Sequence, residues 1–338
     1  MKKQAFDDKV VGLTTTIPVE IVLAADLKPV DLNNVFINSE RPEQLLRQAE
    51  SIGFSHNSCA WIKGIYSTVI EHGVKNVIAV TGGDCSNTVA LSELLVERGV
   101  NIINFDYPLN RDRDLLHAQM EKLRKGFSAT WDSVKSTKSR LDRIREKLKE
   151  LDRLTFEGNV VSGFENHLFL VTSSDFKSDP VVYETELDEF LRQAKKRSPV
   201  TRKIRLGYLG VPPIFGDFYD TVESLDARVV FNEVQRQFSM PYEENDIIEL
   251  YSRYTYPYGI EGRVRDIMRA ISERHLDGLI HYTQTFCYRQ IYDIILRERL
   301  PLPILTLEGD RPGPLDGRTT LRIETFIEML KNRKAEED

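Results

Sequence analysis

The chain has 338 residues, of which 41% are hydrophobic and 29% are charged. This composition is typical of a globular protein, and the length is enough for two domains with separate cores. The formal net charge of -6 argues against nucleic acid as the main partner. No apolar run approaches the length that spans a membrane, and the Lys-Lys start is not followed by a signal-type apolar core. We therefore expect a cytoplasmic protein that binds neither nucleic acid nor membranes.

Strand-like and helical patterns alternate over the first part of the chain. Runs rich in apolar and β-branched residues predict strands at residues 10–13, 28–32, 77–81 and 101–105. Residues 17–25 predict a helix with Pro18 in its first turn, and further helical patterns separate the later strands. Alternation of this kind predicts a parallel sheet with helices on both faces.

The pattern changes between about residues 111 and 154. Strand-like runs stop, acidic and basic residues are dense, and apolar residues recur at helical spacing at Leu141, Ile144, Leu148 and Leu151. We predict a pair of helices whose interspersed charges face solvent, in preference to a coiled coil or a nucleic-acid surface. Residues 155–199 are less regular and end in a predicted charged helix over 184–196.

A second region of alternating elements begins near residue 205. A helix is predicted from about Phe218, and strands are predicted at residues 205–210, 229–231, 278–282 and 303–307. The predicted fold class is α/β, with two parallel-sheet domains and a helical insertion between them. The predicted parts are an N-terminal α/β domain at 1–110 with Cys59 and Cys85, a helical insertion and connector at 111–203, and a C-terminal α/β domain at 204–338 with Cys287.

All three cysteines stand in predicted loops that lead into a helix. Cys59 directly precedes a helical pattern, whereas Cys85 and Cys287 each follow a predicted strand and a loop. The amide groups and positive dipole end of a helix N-terminus stabilise thiolate, which is the form that binds metals. Ligand sites in parallel sheets also form beyond the carboxyl ends of the strands. The spacing of the cysteines in sequence is itself uninformative.

The residues alone leave other interpretations of these cysteines open. Cysteines that form no disulfide often behave as small apolar residues buried in the core. This interpretation would suit a non-catalytic α/β protein. Three thiolates and a water molecule could bind zinc, but the chain has neither a CxxC pair nor an HExxH helix. A cysteine hydrolase built on Cys59 and His56 lacks a visible third group to orient the histidine. The chain also lacks GxxxxGK(S/T) and GxGxxG loops, so we do not expect it to hydrolyse ATP itself.

A set of segments in a fixed order gives the chain a family resemblance. The segments are residues 17–30, the Cys59 helix with Lys63-Gly64, the strand that leads into Asp84-Cys85, residues 207–230, Phe286-Cys287 leading to 302–305 and 308–310, and the terminal 322–328. In this order they resemble the 2-hydroxyacyl-CoA dehydratase and benzoyl-CoA reductase superfamily, which includes double-cubane cluster proteins. The resemblance spans most of the chain, and the cysteines fall where the family's cluster ligands fall.

The resemblance implies two flavodoxin-like or Rossmann-like domains and a 4Fe-4S cluster held by Cys59, Cys85 and Cys287. Three cysteines leave one iron without a cysteine ligand, whereas ordinary electron-transfer clusters have four. The resemblance also implies an oxygen-sensitive, anaerobic enzyme that receives single electrons from a separate ATP-hydrolysing activator. The partner subunit would be a second copy or a different chain, and the substrate an acyl-CoA or another small molecule.

The resemblance leaves two activities open. A dehydratase, which is a lyase, passes one electron to a 2-hydroxyacyl-CoA to form a ketyl radical that loses water, and this is the activity we prefer. A homodimeric double-cubane protein joins two clusters through a sulfide into an 8Fe-9S cluster and reduces small molecules. The chain is somewhat short for a dehydratase and shows no obvious basic cluster for the phosphates of coenzyme A. Arg289, Arg311 and Arg322 are candidates, although solvation or ion pairing explains them more simply.

Acidic and histidine residues near the matching segments are candidates for proton transfer. We name Glu20, Asp84 and His56 as candidate catalytic residues because they lie at a helix start, beside Cys85 and just before Cys59 respectively. Glu20 and Asp84 could equally cap a helix or a turn. Asp217 and His281 are further candidates, and a hydrogen-bonded position at the edge of the core is the simpler explanation for both histidines.

Overall fold

The structure is a computed structural model that describes residues 6–337. The strands in chain order are β1 (Val10–Leu13), β2 (Lys28–Asp31), β3 (Asn76–Gly82), β4 (Asn101–Asp106), β5 (Ile204–Gly210), β6 (Ala227–Asn232), β7 (Gly278–Gln284) and β8 (Ile304–Gly309). The α-helices are α1 (Val19–Ala24), α2 (Leu32–Ile37), α3 (Pro42–Ser51), α4 (Ala60–His72), α5 (Asn87–Glu97), α6 (Arg113–Gly126), α7 (Trp131–Phe156), α8 (Gly163–Thr172), α9 (Pro180–Ala194), α10 (Phe218–Ser224), α11 (Glu233–Phe238), α12 (Ile247–Arg253), α13 (Ile260–Glu273), α14 (Tyr292–Arg299) and α15 (Gly317–Glu337). Short 3-10 helices cover Phe176–Ser178 and Tyr288–Ile291.

The strands form two four-stranded parallel sheets. Their orders are β2-β1-β3-β4 and β6-β5-β7-β8. In each sheet the chain moves from the first strand to one side and then returns to the other side, so the winding reverses between β1 and β3 and between β5 and β7. Such a reversal is a topological switch point, outside which ligands bind at the carboxyl ends of the strands. The predicted α/β class with two Rossmann-like parallel-sheet domains is confirmed.

The chain divides into two compact units. Unit 1 contains the described residues up to Glu146 together with Thr172–Glu186 and Phe238–Gly259. Unit 2 contains Lys147–Val171, Leu187–Gln237 and the described residues from Ile260 onward. Cys59 and Cys85 therefore belong to unit 1, and Cys287 belongs to unit 2. The predicted division cuts the chain into three consecutive parts at residues 110 and 203, and these boundaries stay a prediction.

The core of unit 1 joins β3 to the helices α2, α3, α4 and α5. Its fully or almost fully buried members include Leu32, Ala49, Ile62, Ile65, Tyr66, Val69, Val77, Leu91 and Leu95. Gly64 on α4 permits this packing, because a Cβ atom at this position would lie 2.4 Å from Cγ of Phe36 on α2. The apolar run of β3 that predicted a strand is buried at Val77, Ile78 and Val80.

The sheet of unit 2 is fixed by apolar burial and by one enclosed ion pair. Strand β7 is buried along its whole length. Glu233 accepts two hydrogen bonds from Arg263, at 2.6 and 2.8 Å, and a third from the backbone N–H of Gly210 at 3.0 Å. Burial opposes ionisation of Glu233, but the charge and hydrogen bonds of Arg263 together with the Gly210 N–H outweigh it, so the pKa of the carboxyl is lowered. This carboxylate therefore holds the end of β5 in place.

The helical pair predicted between residues 111 and 154 is confirmed by α6 and α7. The Asp112 side chain accepts a hydrogen bond from the Leu115 N–H at 3.0 Å and so caps α6. The apolar residues whose spacing predicted the second helix are fully buried on α7. Within residues 6–337, no helix has both the length and the apolar character needed to cross a membrane.

Several element boundaries differ from the prediction for local reasons. The helix predicted over 184–196 is α9, which begins earlier because the Asp179 side chain accepts hydrogen bonds from the N–H groups of Val181 and Val182. The strand predicted over 28–32 ends at Asp31, whose carboxylate caps α2 by accepting from the Asn33 N–H at 3.0 Å. Helix α8 was not predicted.

A left-handed turn in unit 1 follows a buried carboxyl group. Phe176, Lys177 and Ser178 have φ angles of 50°, 51° and 64°, a region that non-glycine residues seldom adopt in succession. The Asp175 carboxyl before them accepts hydrogen bonds from the N–H groups of Asp31 (2.7 Å) and Lys177 (2.9 Å). Burial, assisted by the charge of Asp31, raises the pKa of Asp175 to about 7.

Candidate functional site

Cys85 follows β3, the strand beside the switch point of unit 1. The chain turns through Gly83, which has a φ of 88° and has no room for a side chain, since a Cβ atom would lie 2.8 Å from the carbonyl oxygen of Pro257. Cys85 comes two residues later, and its carbonyl accepts a hydrogen bond from the Thr88 N–H at 3.0 Å in the first turn of α5. The predicted order of strand, glycine turn, cysteine and helix is confirmed.

Cys59 occupies the N-cap position of α4. Its carbonyl accepts a hydrogen bond from the Lys63 N–H at 3.1 Å, as expected for the residue that opens a helix. Cys59 and Cys85 are both partly buried, and both pack against the core of unit 1. Unit 1 therefore presents two thiols at the starts of two helices that share one core.

A buried cation lies one helical turn after Cys59. The Lys63 side chain is 3% exposed, and its Nζ donates to Glu50 Oε1 at 2.7 Å and to the carbonyl of His56 at 3.1 Å. The same Glu50 oxygen lies 3.3 Å from Nδ1 of His56, whose side chain is largely exposed. The candidate catalytic His56 therefore belongs to a small charged cluster beside Cys59, and its role in catalysis stays a prediction.

Cys287 follows β7, the strand beside the switch point of unit 2. Its N–H donates to the carbonyl of Gln284 at 2.9 Å, and it is the N-cap of the 3-10 helix Tyr288–Ile291 that leads into α14. The helix that directly follows this cysteine is thus a 3-10 helix and not the predicted α-helix. Phe286 has a φ of 62°, which is an uncommon conformation for a bulky residue and strains the loop before Cys287.

A cleft of about 590 Å³ opens beside Cys287 in unit 2. Its lining combines apolar, acidic and basic side chains: Phe286, Cys287, Tyr288, Gln290, Ile291, Asp293, Ile294, Arg297, Thr306, Glu308 and Arg322. Four apolar side chains around it are unusually exposed for their type, at 64% for Phe286, 44% for Tyr288, 67% for Ile291 and 59% for Ile294. The cleft is therefore suited to a ligand with both apolar and charged parts.

Asp293 is the polar centre of this cleft. It accepts hydrogen bonds from Thr306 Oγ1 and Arg297 Nε, both at 2.6 Å, and its Oδ1 lies 2.8 Å from Nδ1 of His281. Partial burial would raise the pKa of Asp293, but these three partners outweigh it and the pKa lies well below its ordinary value. The side chain is therefore a carboxylate near neutral pH, and His281 is one of its partners.

Glu20 lies in a closed ion pair within unit 1. It is fully buried, its Oε1 lies 2.7 Å from Nη2 of Arg145, and its Oε2 accepts a hydrogen bond from the Tyr251 hydroxyl at 2.8 Å. Burial opposes the charge of Arg145, but Glu20, Tyr251 and Asp142 together outweigh it and raise the pKa of Arg145. A pair closed in this way supports the start of α1, and proton transfer by Glu20 stays a prediction.

The other candidates occupy varied positions. Asp84 is partly exposed in the turn between Gly83 and Cys85. Asp217 accepts a hydrogen bond from the Leu315 N–H at 2.8 Å and so ties two loops of unit 2 together.

The three arginines considered for coenzyme A also differ. Arg289 is buried next to Cys287 and stacks over the Tyr288 ring at 5.4 Å. Arg322 is exposed at the cleft, where it donates to the carbonyl of Thr306, and Arg311 is exposed.

Residues that the sequence interpretation did not select are prominent in the site. The sequence patterns do not indicate roles for Glu50, Asp293 and Thr306, and Lys63 falls only within a segment that carries the family resemblance. The four-residue spacing of Asp293 and Arg297 on α14 is a recognisable signal for an ion pair on a helix. No local signal joins Glu50 to Lys63 or Thr306 to Asp293, because these pairs connect different elements of the fold.

The donor groups around the cysteines fit an iron-sulfur cluster. Each cysteine is a partly exposed thiol at or beside a helix start. Buried Nε1 of Trp61 and Nε2 of Gln284 have no hydrogen-bond partner among the described residues, and N–H donors of this kind suit the sulfur atoms of a cluster. Within residues 6–337, no group of three or more His, Cys, Asp or Glu side chains is arranged to hold a metal ion, so Cys59, Cys85 and Cys287 stay a proposed ligand set.

Each of the two Rossmann-like sheets has a cysteine after the strand beside its switch point, which is where α/β proteins of this class commonly bind ligands. The sequence profile of the family described as 2-hydroxyglutaryl-CoA dehydratase, D-component, matches residues 14–330, and the chain belongs to this family. The chain is therefore a 2-hydroxyacyl-CoA dehydratase-like component, and the predicted superfamily is confirmed. A comparison with curated proteins gave no match.

Proposed function

We propose that the chain carries a 4Fe-4S cluster on Cys59, Cys85 and Cys287 and acts as the cluster-bearing component of a 2-hydroxyacyl-CoA dehydratase, a lyase. The observation that carries the proposal is the position of Cys85 and Cys287, each after the strand beside the switch point of its sheet. The family match gives the reaction class. When bound, the cluster would supply the single electron that a radical dehydration requires.

The chain's own residues would keep the ligand groups in their reactive form. Helix N-termini favour thiolate over thiol, which applies most directly to Cys59 at the start of the 13-residue helix α4. Three thiolates leave one iron for a ligand other than cysteine. The proposal includes a reducing, cytoplasmic location, because few cysteines and no disulfide framework suit such a compartment.

The cleft beside Cys287 is the proposed place for part of the acyl-CoA substrate. Exposed Ile291 and Ile294 offer an apolar wall for an acyl chain, and exposed Arg322 offers a positive charge to a phosphate or carboxylate. Among the candidate acid-base residues, Asp84 is the one directly next to a proposed ligand in sequence, and its turn is partly exposed.

The proposal also includes partners. The sequence contains no ATP-binding phosphate loop, so the energy for low-potential electron transfer would come from a separate ATP-hydrolysing activator. A second subunit, either a different chain or another copy, would complete the enzyme. An electron-transfer assay with the activator, ATP, a reductant and a 2-hydroxyacyl-CoA should show dehydration only when all are present.

Anaerobic reconstitution tests the cluster directly. We expect about four iron and four sulfide per chain and an iron-sulfur signal in paramagnetic resonance. Cys85→Ser and Cys287→Ser should lose most of the iron, whereas the neighbouring Ser86→Ala should keep it. Stoichiometric zinc without iron, or full iron content in both cysteine variants, would contradict the proposal. Native mass with spectroscopy for a bridging sulfide separates the dehydratase from the double-cubane reductase.

A further inference from the structure

Lys63 is a charged residue among the mostly apolar buried positions of α4. Its neighbours Ile62, Gly64 and Ile65 are all buried in unit 1. A lysine is seldom fully buried unless it is paired, and here the pair is Glu50 on α3, at 2.7 Å. Packing alone would favour an apolar residue at this position, so the buried charge requires a separate explanation.

The explanation lies in the short segment from His56 to Cys59. The Lys63 side chain donates to the carbonyl of His56 at 3.1 Å, and the Lys63 backbone N–H donates to the carbonyl of Cys59 at 3.1 Å. One residue therefore fixes both the first and the last carbonyl of this segment. A hydrogen bond from a charged donor is worth more than one from a neutral donor, so the side-chain bond restrains the loop strongly.

We propose that Lys63 is the positioning residue for Cys59, and that its pair with Glu50 balances the charge beside this cysteine. The second part rests on the proposed function, since it concerns a bound cluster. Lys63 and Glu50 are counter-ions in the cluster that also contains His56, so removing either one changes the charge of this cluster by a known sign. Without Lys63 the remaining charge is the negative carboxylate of Glu50, and without Glu50 it is the positive ammonium.

Hydrogen exchange of the full-length protein without cluster tests the positioning. In Lys63→Met, amide exchange over residues 56–59 should accelerate roughly tenfold while the strands of unit 1 keep their protection. Lys63→Arg should restore slow exchange, because it keeps a charged donor. Lys75→Met is the matched control, since Lys75 forms an exposed ion pair with Asp8 in the same unit. Unchanged exchange in Lys63→Met would overturn the positioning role.

The midpoint potential of the reconstituted protein tests the charge balance. We expect a more negative potential in Lys63→Met, a more positive one in Glu50→Gln, and a value near the original in the double variant. If Lys63 and Glu50 only filled space, the two single variants would not shift the midpoint potential in opposite directions. Shifts of the potential in the same direction would overturn the charge balance.

The two parts of the test remain separable from the proposed function. If the unaltered protein takes up no iron, the proposed function fails, and the exchange experiment still decides the positioning role. If Lys63→Met does not fold, Glu50→Gln decides the charge balance, because it keeps the bond to the His56 carbonyl and should shift the potential without speeding exchange.

Discussion

The segments around Cys59 and Cys287 differ in how the fold fixes a cysteine. Cys59 opens a helix that is buried in the core of unit 1, and a buried cation on that helix fixes the loop before it. Cys287 follows a buried strand through a strained turn at Phe286 and borders an open cleft with exposed apolar walls. In the proposed function, unit 1 supplies rigidly held ligands, and unit 2 supplies the ligand that borders the route for substrate.

The largest expected effect comes from the buried pair that holds the sheet of unit 2. Glu233→Gln leaves the charge of Arg263 enclosed and weakens the bond to the Gly210 N–H, so we expect a loss of roughly 3–5 kcal/mol in the free energy of unfolding. Chemical denaturation measures it. Glu261→Gln, which removes the exposed partner of Arg299, should cost less than about 1 kcal/mol. Equal costs would show that the buried pair does not stabilise unit 2 more than an exposed ion pair does.

The second effect is a pH dependence in unit 1. The pKa of Asp175 is about 7 in the folded chain against an ordinary 3.8, so the folded state binds this proton more tightly than the unfolded state. The contribution is fully present below about pH 3.8 and is lost as the pH rises through 7, with a limit of about 4 kcal/mol. Denaturation of Asp175→Asn between pH 4 and 8 should show a flatter profile than the unaltered chain. If stability depended on pH with the same slope in Asp175→Asn and in the unaltered chain, this would contradict the raised pKa of Asp175.

A third effect tests the packing that buries α4. Gly64→Ala places a Cβ atom 2.4 Å from the Phe36 ring, and overpacking of this kind costs about 1–3 kcal/mol. The comparison is Gly126→Ala near the end of α6, where a Cβ atom meets nothing within 4 Å and where alanine favours the helix. The midpoint temperature of thermal unfolding should fall for Gly64→Ala and should stay the same or rise for Gly126→Ala. The reverse order would show that α2 and α4 can move apart freely.

The smallest effect has the opposite pH sign and belongs to the Cys287 cleft. The folded pKa of Asp293 lies below its ordinary value, so its contribution is present above about pH 4 and is lost as the pH falls through the folded pKa. Asp293→Asn should therefore remove stability near neutral pH and make unit 2 less sensitive to acid, by about 1 kcal/mol for a partly solvated network. Hydrogen exchange of β7 and β8 at neutral pH and again well below pH 4 would measure it. An unchanged acid response would contradict the assignment.

Local sequence patterns predicted most of the elements that position the site. The apolar runs of β3 and β7 carry strong signals because these strands are buried along most or all of their length, and the periodicity of α7 does so because one face of this helix is buried. Short helices such as α2 and α11 were not predicted, since six residues hold too few turns for a clear period. The position of Cys85 after a glycine turn was also readable, because few other residues suit such a turn.

The parts of the site that depend on distant residues could not be predicted. The strand orders that place Cys85 and Cys287 beside switch points arise from the whole sheet. Burial of Lys63 depends on Glu50 from another helix, and the positive φ of Phe286 has no local signal because phenylalanine does not favour it. The family resemblance selected the cysteines, whereas the residues that hold them in place required the structure.

The left-handed turn at Phe176–Ser178 has a consequence for the tolerance of the chain to mutation. Glycine is usually among the most damaging replacements in a scan of all substitutions, since it adds freedom to the unfolded chain. At the exposed Lys177, with a φ of 51°, this order should be reversed. Substitution by glycine or asparagine should be tolerated, and substitution by valine, isoleucine or threonine should be destabilising. Natural relatives should therefore have residues that tolerate a positive φ at this position, and seldom β-branched ones.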